Sequence, residues 1–164
     1  MKKLYLIRHS KSSWDNPNLS DYDRPLNDRG KKDRYKVADY LKDEGIYPNL
    51  VLCSPSKRTK SSLKAYKEIL GISCDVIYDE KLYETTYQDL LDIIYSINDD
   101  YDTVFLIAHN PSLNNLVDFL LRGFNENIPT SGVVGLEFSC NSWKDISDTN
   151  CSLTLFTYPK LINN

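Results

Sequence analysis

LYLIRHSKSSW, residues 4–14, runs from consecutive apolar side chains straight into an arginine, a histidine and a serine, with no turn residue between them. A short continuous apolar run reads as a strand covered on both faces, and polar chemistry starts where it stops. TVFLIAHNPSL, residues 103–113, repeats the arrangement and carries the only other histidine of the chain. Working outward from these two runs, further apolar stretches stand at 50–54 (LVLCS), 75–79 (DVIYD), 133–138 (VVGLEF) and 152–158 (SLTLFTY). The first two strands are thus expected at 3–7 and 50–54, the third at 75–79 and the fourth at 103–108. The final two follow each other closely enough to form a hairpin.

Longer amphipathic segments separate the strands. LNDRGKKDRYKVADYLKDEG places Tyr35, Val37, Ala38, Tyr40 and Leu41 at helical spacing, which predicts a helix from near Asn27 to Gly45. Others are predicted from Ser56 to Leu70, over 86–98, and over 111–123, the last with Pro111 in its first turn and Gly123 as its C-cap. Strands alternating with helices specify an α/β fold with a mostly parallel sheet. The terminal hairpin makes one of the six strands antiparallel. No linker, repeat or low-complexity stretch divides the chain, so a single domain over 1–164 is expected.

The composition excludes several classes. Hydrophobic residues at 41% and charged residues at 26% are ordinary for a globular domain, and a net charge of -3 argues against a nucleic-acid partner. No apolar stretch is long enough to span a bilayer. The apolar part of MKKLYLIRHS is too short for a signal peptide, so a cytoplasmic location is expected. Cys53, Cys74, Cys140 and Cys151 lie far apart and without metal spacing, which points to reduced structural thiols and no metal.

In an open α/β sheet, ligands bind beyond the carboxyl ends of the strands. Arg8, His9 and Ser10 follow the first strand, Ser54, Ser56 and Arg58 the second, and His109 and Asn110 the fourth. The chain shows no carboxylate beside any of them, so the pocket is expected to take an anion. Phosphate fits best, since arginine matches its oxygens and helix N-termini add partial positive charge. Asn110 is equally readable as a helix cap, Arg24 as a solvated loop residue, and Thr130 with Ser131 as a plain turn. Lys57 and Lys60 read as helix-surface charges, and the tyrosines, Tyr83 among them, as packing residues.

LIRHS resembles the R-H-G motif of the histidine phosphatase superfamily. DYDRPLNDRGKKDRYKVADYL, LCSPSKRTKSSL, LYETTYQDLL, VFLIAHNPSLNNLVDFL and IPTSGVVGLEF then resemble, in order, the successive motifs of its small SixA-type branch of phosphohistidine phosphatases. The resemblance implies a three-layer α/β/α sandwich of phosphoglycerate mutase-like type. It implies that His9 is the nucleophile and that Arg8, Arg58 and His109 hold the phosphoryl oxygens, with His109 best as imidazolium. Ser10, Asn110, Thr130, Ser131 and Arg24 would border the phosphate. Ser10 stands where most members carry glycine; its backbone amide would remain on offer, while its side chain adds a hydroxyl and crowds the pocket. Glu84 matches a glutamate that protonates the leaving group in the wider superfamily, although a helix N-terminal charge explains it too.

No cofactor is implied. The segment 79–102 leaves room for one helix and no cap, and an open pocket favours phosphohistidine on a protein over an enclosed metabolite, with inorganic phosphate as product. A broad-specificity phosphomonoesterase acting on small phosphate esters, or a non-catalytic phosphoprotein-binding module, are the alternatives. Because fixed cationic donors supply most of the catalysis in phosphoryl transfer, Arg58→Ala should lower turnover by roughly 10² or more. A steady-state assay showing a loss under about threefold would contradict the role given to Arg58.

Overall fold

The computed structural model describes residues 1–162. Strand β1 (Lys2–Arg8) has Leu4, Tyr5, Leu6 and Ile7 all buried, with no alternation of exposed and buried positions. Both of its faces are therefore covered. Leu4 and Leu6 enter one apolar cluster, Tyr5 and Ile7 another on the opposite side of the sheet. The same division runs through β2 (Leu50–Cys53) and β4 (Thr103–Ala108), where Leu52 and Leu106 face one way and Val51 and Phe105 the other. With β3 (Asp75–Tyr78), β5 (Val133–Phe138) and β6 (Cys151–Thr157), the sheet has the order β3-β2-β4-β1-β5-β6 among the described residues.

Four of the five strand pairings follow from that order as expected of a crossover fold or a hairpin. β2 pairs in parallel with β3 and β4, β4 pairs in parallel with β1, and β5 and β6 form the antiparallel hairpin. The fifth joins β5 antiparallel to β1, so β5 alone runs against the rest. The helices α1 (Asp28–Asp43) and α2 (Lys57–Leu70) cover one face through Val37, Leu41, Leu63 and Tyr66. The opposite face is covered by α3 (Tyr87–Tyr95) and α4 (Ser112–Leu120) through Leu90, Ile94, Leu113 and Leu116. Full burial of each such aliphatic side chain contributes about 1.5–3 kcal/mol relative to exposure.

Local chemistry sets the helix ends. The Asn27 side chain accepts from the Gly30 amide, Ser56 from Thr59 and Thr86 from Asp89, each satisfying an amide that the first turn leaves free. Gly71 closes α2 in the left-handed conformation. Two helix C-termini fall three residues short of the sequence expectation. Helix α3 stops at Tyr95 rather than 98, where the Ser96 hydroxyl donates to the Ile93 carbonyl. Helix α4 ends at Leu120, and the extended residue Leu121, not Gly123, is its C-cap. Leu121 and Phe124 pack against the core, and burying them draws the chain off the helix axis before Gly123. Tyr66, expected at an element surface, lies wholly inside the sandwich.

The loop after β1 is held down by the start of α1. The Lys11 carbonyl accepts from the Asn27 amide at 3.0 Å, and Gly30 lies so close that an added Cβ would stand 2.1 Å from that carbonyl oxygen. Only glycine permits this approach. Gly30→Ala should therefore cost about 1–3 kcal/mol of stability in urea unfolding, with a change below about 0.5 kcal/mol contradicting the packing described.

Candidate active site

Strands β1 and β4 lie side by side in parallel, with Arg8 opposite Ala108. The next residues along each strand are the two histidines, and their ring centroids stand 5.3 Å apart. His9 Nδ1 lies 2.7 Å from the Ser10 carbonyl, a pure acceptor, so this nitrogen carries the proton in the neutral ring. Nε2 is left with its lone pair. Arg58 Nε donates to it at 3.4 Å, carried there by the first turn of α2 behind β2. His109 Nε2 meets the Ser54 hydroxyl at 2.8 Å.

Arg8 donates through Nη1 to the Ile128 carbonyl at 2.8 Å. Arg24 donates to Asp21 at 3.4 Å and to the Ser12 hydroxyl, and its guanidinium stacks 3.3 Å over the Trp14 ring. The buried Nε atoms of Arg8 and Arg24 and the Nδ1 of His109 have no hydrogen-bond partner among the described residues. Buried polar atoms of this kind call for a partner, and the two guanidinium nitrogens for an acceptor. A cleft of about 380 Å³ is lined by Arg8, His9, Arg24, Arg58, Asn110 and Thr130, together with Asp21 and Trp14.

Asp21 corrects the expectation that no carboxylate stands beside the cationic groups. Its Oδ2 accepts from Arg58 Nη2 at 3.0 Å and from the Tyr83 hydroxyl at 2.6 Å, while its carbonyl accepts from Arg58 Nη1 at 2.6 Å. Tyr83 likewise goes beyond the packing role expected from the sequence, since its hydroxyl reaches Asp21 and its ring stands edge-on to His109 with centroids 5.4 Å apart. The signals were local but slight. Asp21 opens a short 3-10 turn capped by Ser20, and Tyr83 precedes Glu84 by one position.

Other candidates are placed with more or less connection to the cleft. The Ser10 hydroxyl pairs with that of Ser131 at 2.5 Å, and the Ser131 amide donates to the His9 carbonyl at 3.0 Å. The Ser10 amide donates to Ser62 Oγ at 2.8 Å, so, contrary to the sequence expectation, it is not on offer to an anion. The Asn110 side chain accepts from the Asn114 amide near the start of α4 and donates to the Ile128 carbonyl, tying the two loops together, while Pro111 holds the N-cap position instead of the first-turn position expected from the sequence. Glu84, with φ of 49°, lies against a neighbouring cavity shared with Asp79, Lys81 and Asp89. Lys57 and Lys60 are exposed on α2.

Burial is the chief cause holding His9 down at about 4; the Ser10 hydrogen bond opposes it and the charges of Arg58, Arg8 and Arg24 add to it. His109 is held at about 3, again by burial first, then by His9 and Arg58. Both rings are neutral near pH 7. For His9 this is the nucleophilic form, whereas the imidazolium expected at His109 requires an arriving anion to offset its neighbours. Partial burial works to raise the Asp21 carboxyl, but the bonds from Tyr83 and Arg58 and the charges of Arg58 and Arg24 hold it below the usual range.

The model of the histidine phosphatase superfamily, branch 1, matches residues 4–116, the span from β1 into α4 that contains both histidines. The chain belongs to the histidine phosphatase superfamily. An uncharacterised chloroplastic protein of Arabidopsis thaliana is 31% identical over 153 residues, covering 88% of this chain and 70% of that one. An uncharacterised protein of Mycobacterium tuberculosis is 26% identical over 164 residues, covering 94% and 100%. A protein assigned as phosphohistidine phosphatase SixA from Agrobacterium tumefaciens superposes with a TM-score of 0.84 at 24% identity, over 96% of this chain and 98% of that one. The protein histidine phosphatase SixA complexed with tungstate gives 0.83 at 20%, over 98% and 99%. The fold is thus the three-layer, phosphoglycerate mutase-like sandwich of histidine phosphatases.

An NMR titration of the two imidazoles should give midpoints near 4 and 3 in place of the usual 6.5. The unfolded chain takes up protons from about pH 6.5 downward and the folded one only below about 4, so stability should fall as pH falls across that window. Added inorganic phosphate should raise both midpoints. A free-protein midpoint near 6.5 for His9 would contradict the burial and charge described.

Proposed function

We propose that this protein is a phosphohistidine phosphatase that removes phosphate from a phosphorylated protein through a phospho-His9 intermediate. The observation that carries the reading is the pairing of His9 Nε2, its lone pair fixed by the Nδ1 contact to the Ser10 carbonyl, with the Arg58 guanidinium at 3.4 Å. Nucleophile and phosphate clamp stand together.

In the first step Nε2 attacks phosphorus and the substrate's P–N bond breaks, its electron pair leaving with the departing imidazole. Arg8, Arg58, Arg24 and His109 balance the charge on the phosphoryl oxygens, where preorganised donors act most strongly. Ser10 and Ser131 hold the loop behind His9; Thr130 and Asn110 border the cleft. Splitting hydrolysis into transfer to His9 and release to water replaces one hard displacement with two easier ones.

Support for a protein substrate comes from the shape of the mouth. Between β3 and β4 the chain adds one 3-10 turn and α3, and exposed Trp14 stands at the rim. An open rim admits a phosphorylated side chain carried on a larger body. No metal is needed in this scheme, because the guanidinium groups supply the positive charge.

Rapid-quench labelling tests the reading. With a phosphohistidine protein as donor, the wild type should form an acid-labile phosphoenzyme and release phosphate at a rate unchanged by chelator, and His9→Ala should form none. Fast release from sugar phosphates with no action on phosphohistidine would replace it with a small-molecule phosphomonoesterase, and binding without release would replace it with a recognition module.

A further inference from the structure

We propose that Asp21, rather than Glu84, is the carboxylate that takes the proton from the water hydrolysing phospho-His9. The inference rests on the phospho-His9 reading above.

The Arg58 guanidinium bridges floor and rim of the cleft. Its Nε reaches His9 Nε2 at 3.4 Å, and its Nη2 reaches Asp21 Oδ2 at 3.0 Å. His9 is buried at the floor, while Asp21 is half exposed at the mouth. A phosphoryl group bonded to Nε2 and clamped by Arg58 has its open axial face turned away from His9, toward the mouth. In-line displacement brings the water to that face, since attacking and leaving atoms stand on opposite sides of phosphorus. Asp21 is the acidic residue that lines the cleft there.

Its position is set from three sides. The Ser20-capped turn fixes the backbone, the Asp21 carbonyl is tied to Arg58 Nη1, and the carboxylate is held by the Tyr83 hydroxyl at 2.6 Å. When the phosphoryl group draws on Arg58, Tyr83 and Arg24 still hold the carboxylate. Glu84 lies instead against the neighbouring cavity with Asp79 and Asp89, and it makes no side-chain hydrogen bond to a cleft residue among the described residues.

The step balances. The water oxygen bonds to phosphorus as the Nε2–P bond breaks, and that electron pair returns to Nε2. The ring keeps its Nδ1 proton on the Ser10 carbonyl and so leaves as neutral histidine. The water proton passes to an Asp21 oxygen and then to solvent as phosphate departs.

The groups facing Asp21 are Arg58 from α2, Arg24 from its own loop and Tyr83 from the loop before α3, and they keep it ionised at neutral pH. Ionised, it can accept a proton from water and has none to give to a leaving group. A phosphorylated imidazole carrying a proton on its other nitrogen departs as neutral imidazole with no acid, whereas an alkyl phosphate expels an alkoxide that needs a proton. An N-phosphoryl group, whose departing imidazole needs no proton, therefore suits this site.

Rapid-quench kinetics with phosphoimidazole as donor resolve the two steps. Asp21→Asn is expected to phosphorylate His9 within about threefold of the wild-type rate but to hydrolyse phospho-His9 roughly 10²-fold more slowly, so that phosphoenzyme accumulates. Wild-type hydrolysis should fall at acid pH as Asp21 takes up a proton, and the Asn variant should lack that limb. Glu84→Gln should hydrolyse phospho-His9 as the wild type does. Equal slowing of both steps in Asp21→Asn would reduce Asp21 to a holder of Arg58 and overturn the proposal, as would hydrolysis within about threefold of wild type. A wild type that forms no phosphoenzyme at all would instead remove the functional reading beneath it.

Discussion

The register of β1 against β4 is the constraint on which the rest depends. Both strands are buried on two faces, so each stays apolar until it leaves the sandwich, and both leave at the same level, Arg8 beside Ala108. A guanidinium or imidazole inside either helix-covered layer would lose its hydration without a partner, at a cost far larger than the burial of one leucine returns. Sliding one strand by a residue would also exchange the two apolar faces. The polar ends therefore help lock the pairing, and the pairing sets the imidazoles 5.3 Å apart.

Once the histidines are adjacent, the electrostatics follow. Arg8, Arg24 and Arg58 share a partly buried cleft in which Asp21 is paired with two of them. Burial first, and the neighbouring cations after it, hold both rings neutral. Such concentrated like charge works against the folded state and favours an anion, the usual relation between a binding site and the stability of its host. Asp21 shares the Arg58 guanidinium, so an anion held by Arg58 would lie beside the carboxylate.

Ser10 shows how a departure from a family pattern is absorbed. Where glycine would leave space, its hydroxyl meets Ser131 and its amide meets Ser62. Ser131 holds φ of 63°, a left-handed conformation uncommon outside glycine and asparagine, while its amide reaches back to the His9 carbonyl. The backbone around His9 is thus fixed by hydroxyl and amide contacts from two distant segments.

Much of this was legible in the residues alone. Apolar runs and helix ends act over a few positions, so the six strands, the helix starts near Asn27 and Ser56 and the end of α2 at Leu70 could be read directly. So could the polar residues at the strand ends, because the end of an apolar run marks where the chain leaves the core. The length of α4 could not, since Leu121 and Phe124 end it by packing on a core assembled from remote segments. Nor could Asp21 and Tyr83. Asp21 meets Arg58 across 37 positions and Tyr83 across 62, and the slight local signals at each residue do not record those contacts. Local periodicity determined the elements and where their polar ends fall. Which charges meet there, and hence which groups are protonated, was decided by tertiary packing, because electrostatic energy depends on distances in space and on burial rather than on order along the chain.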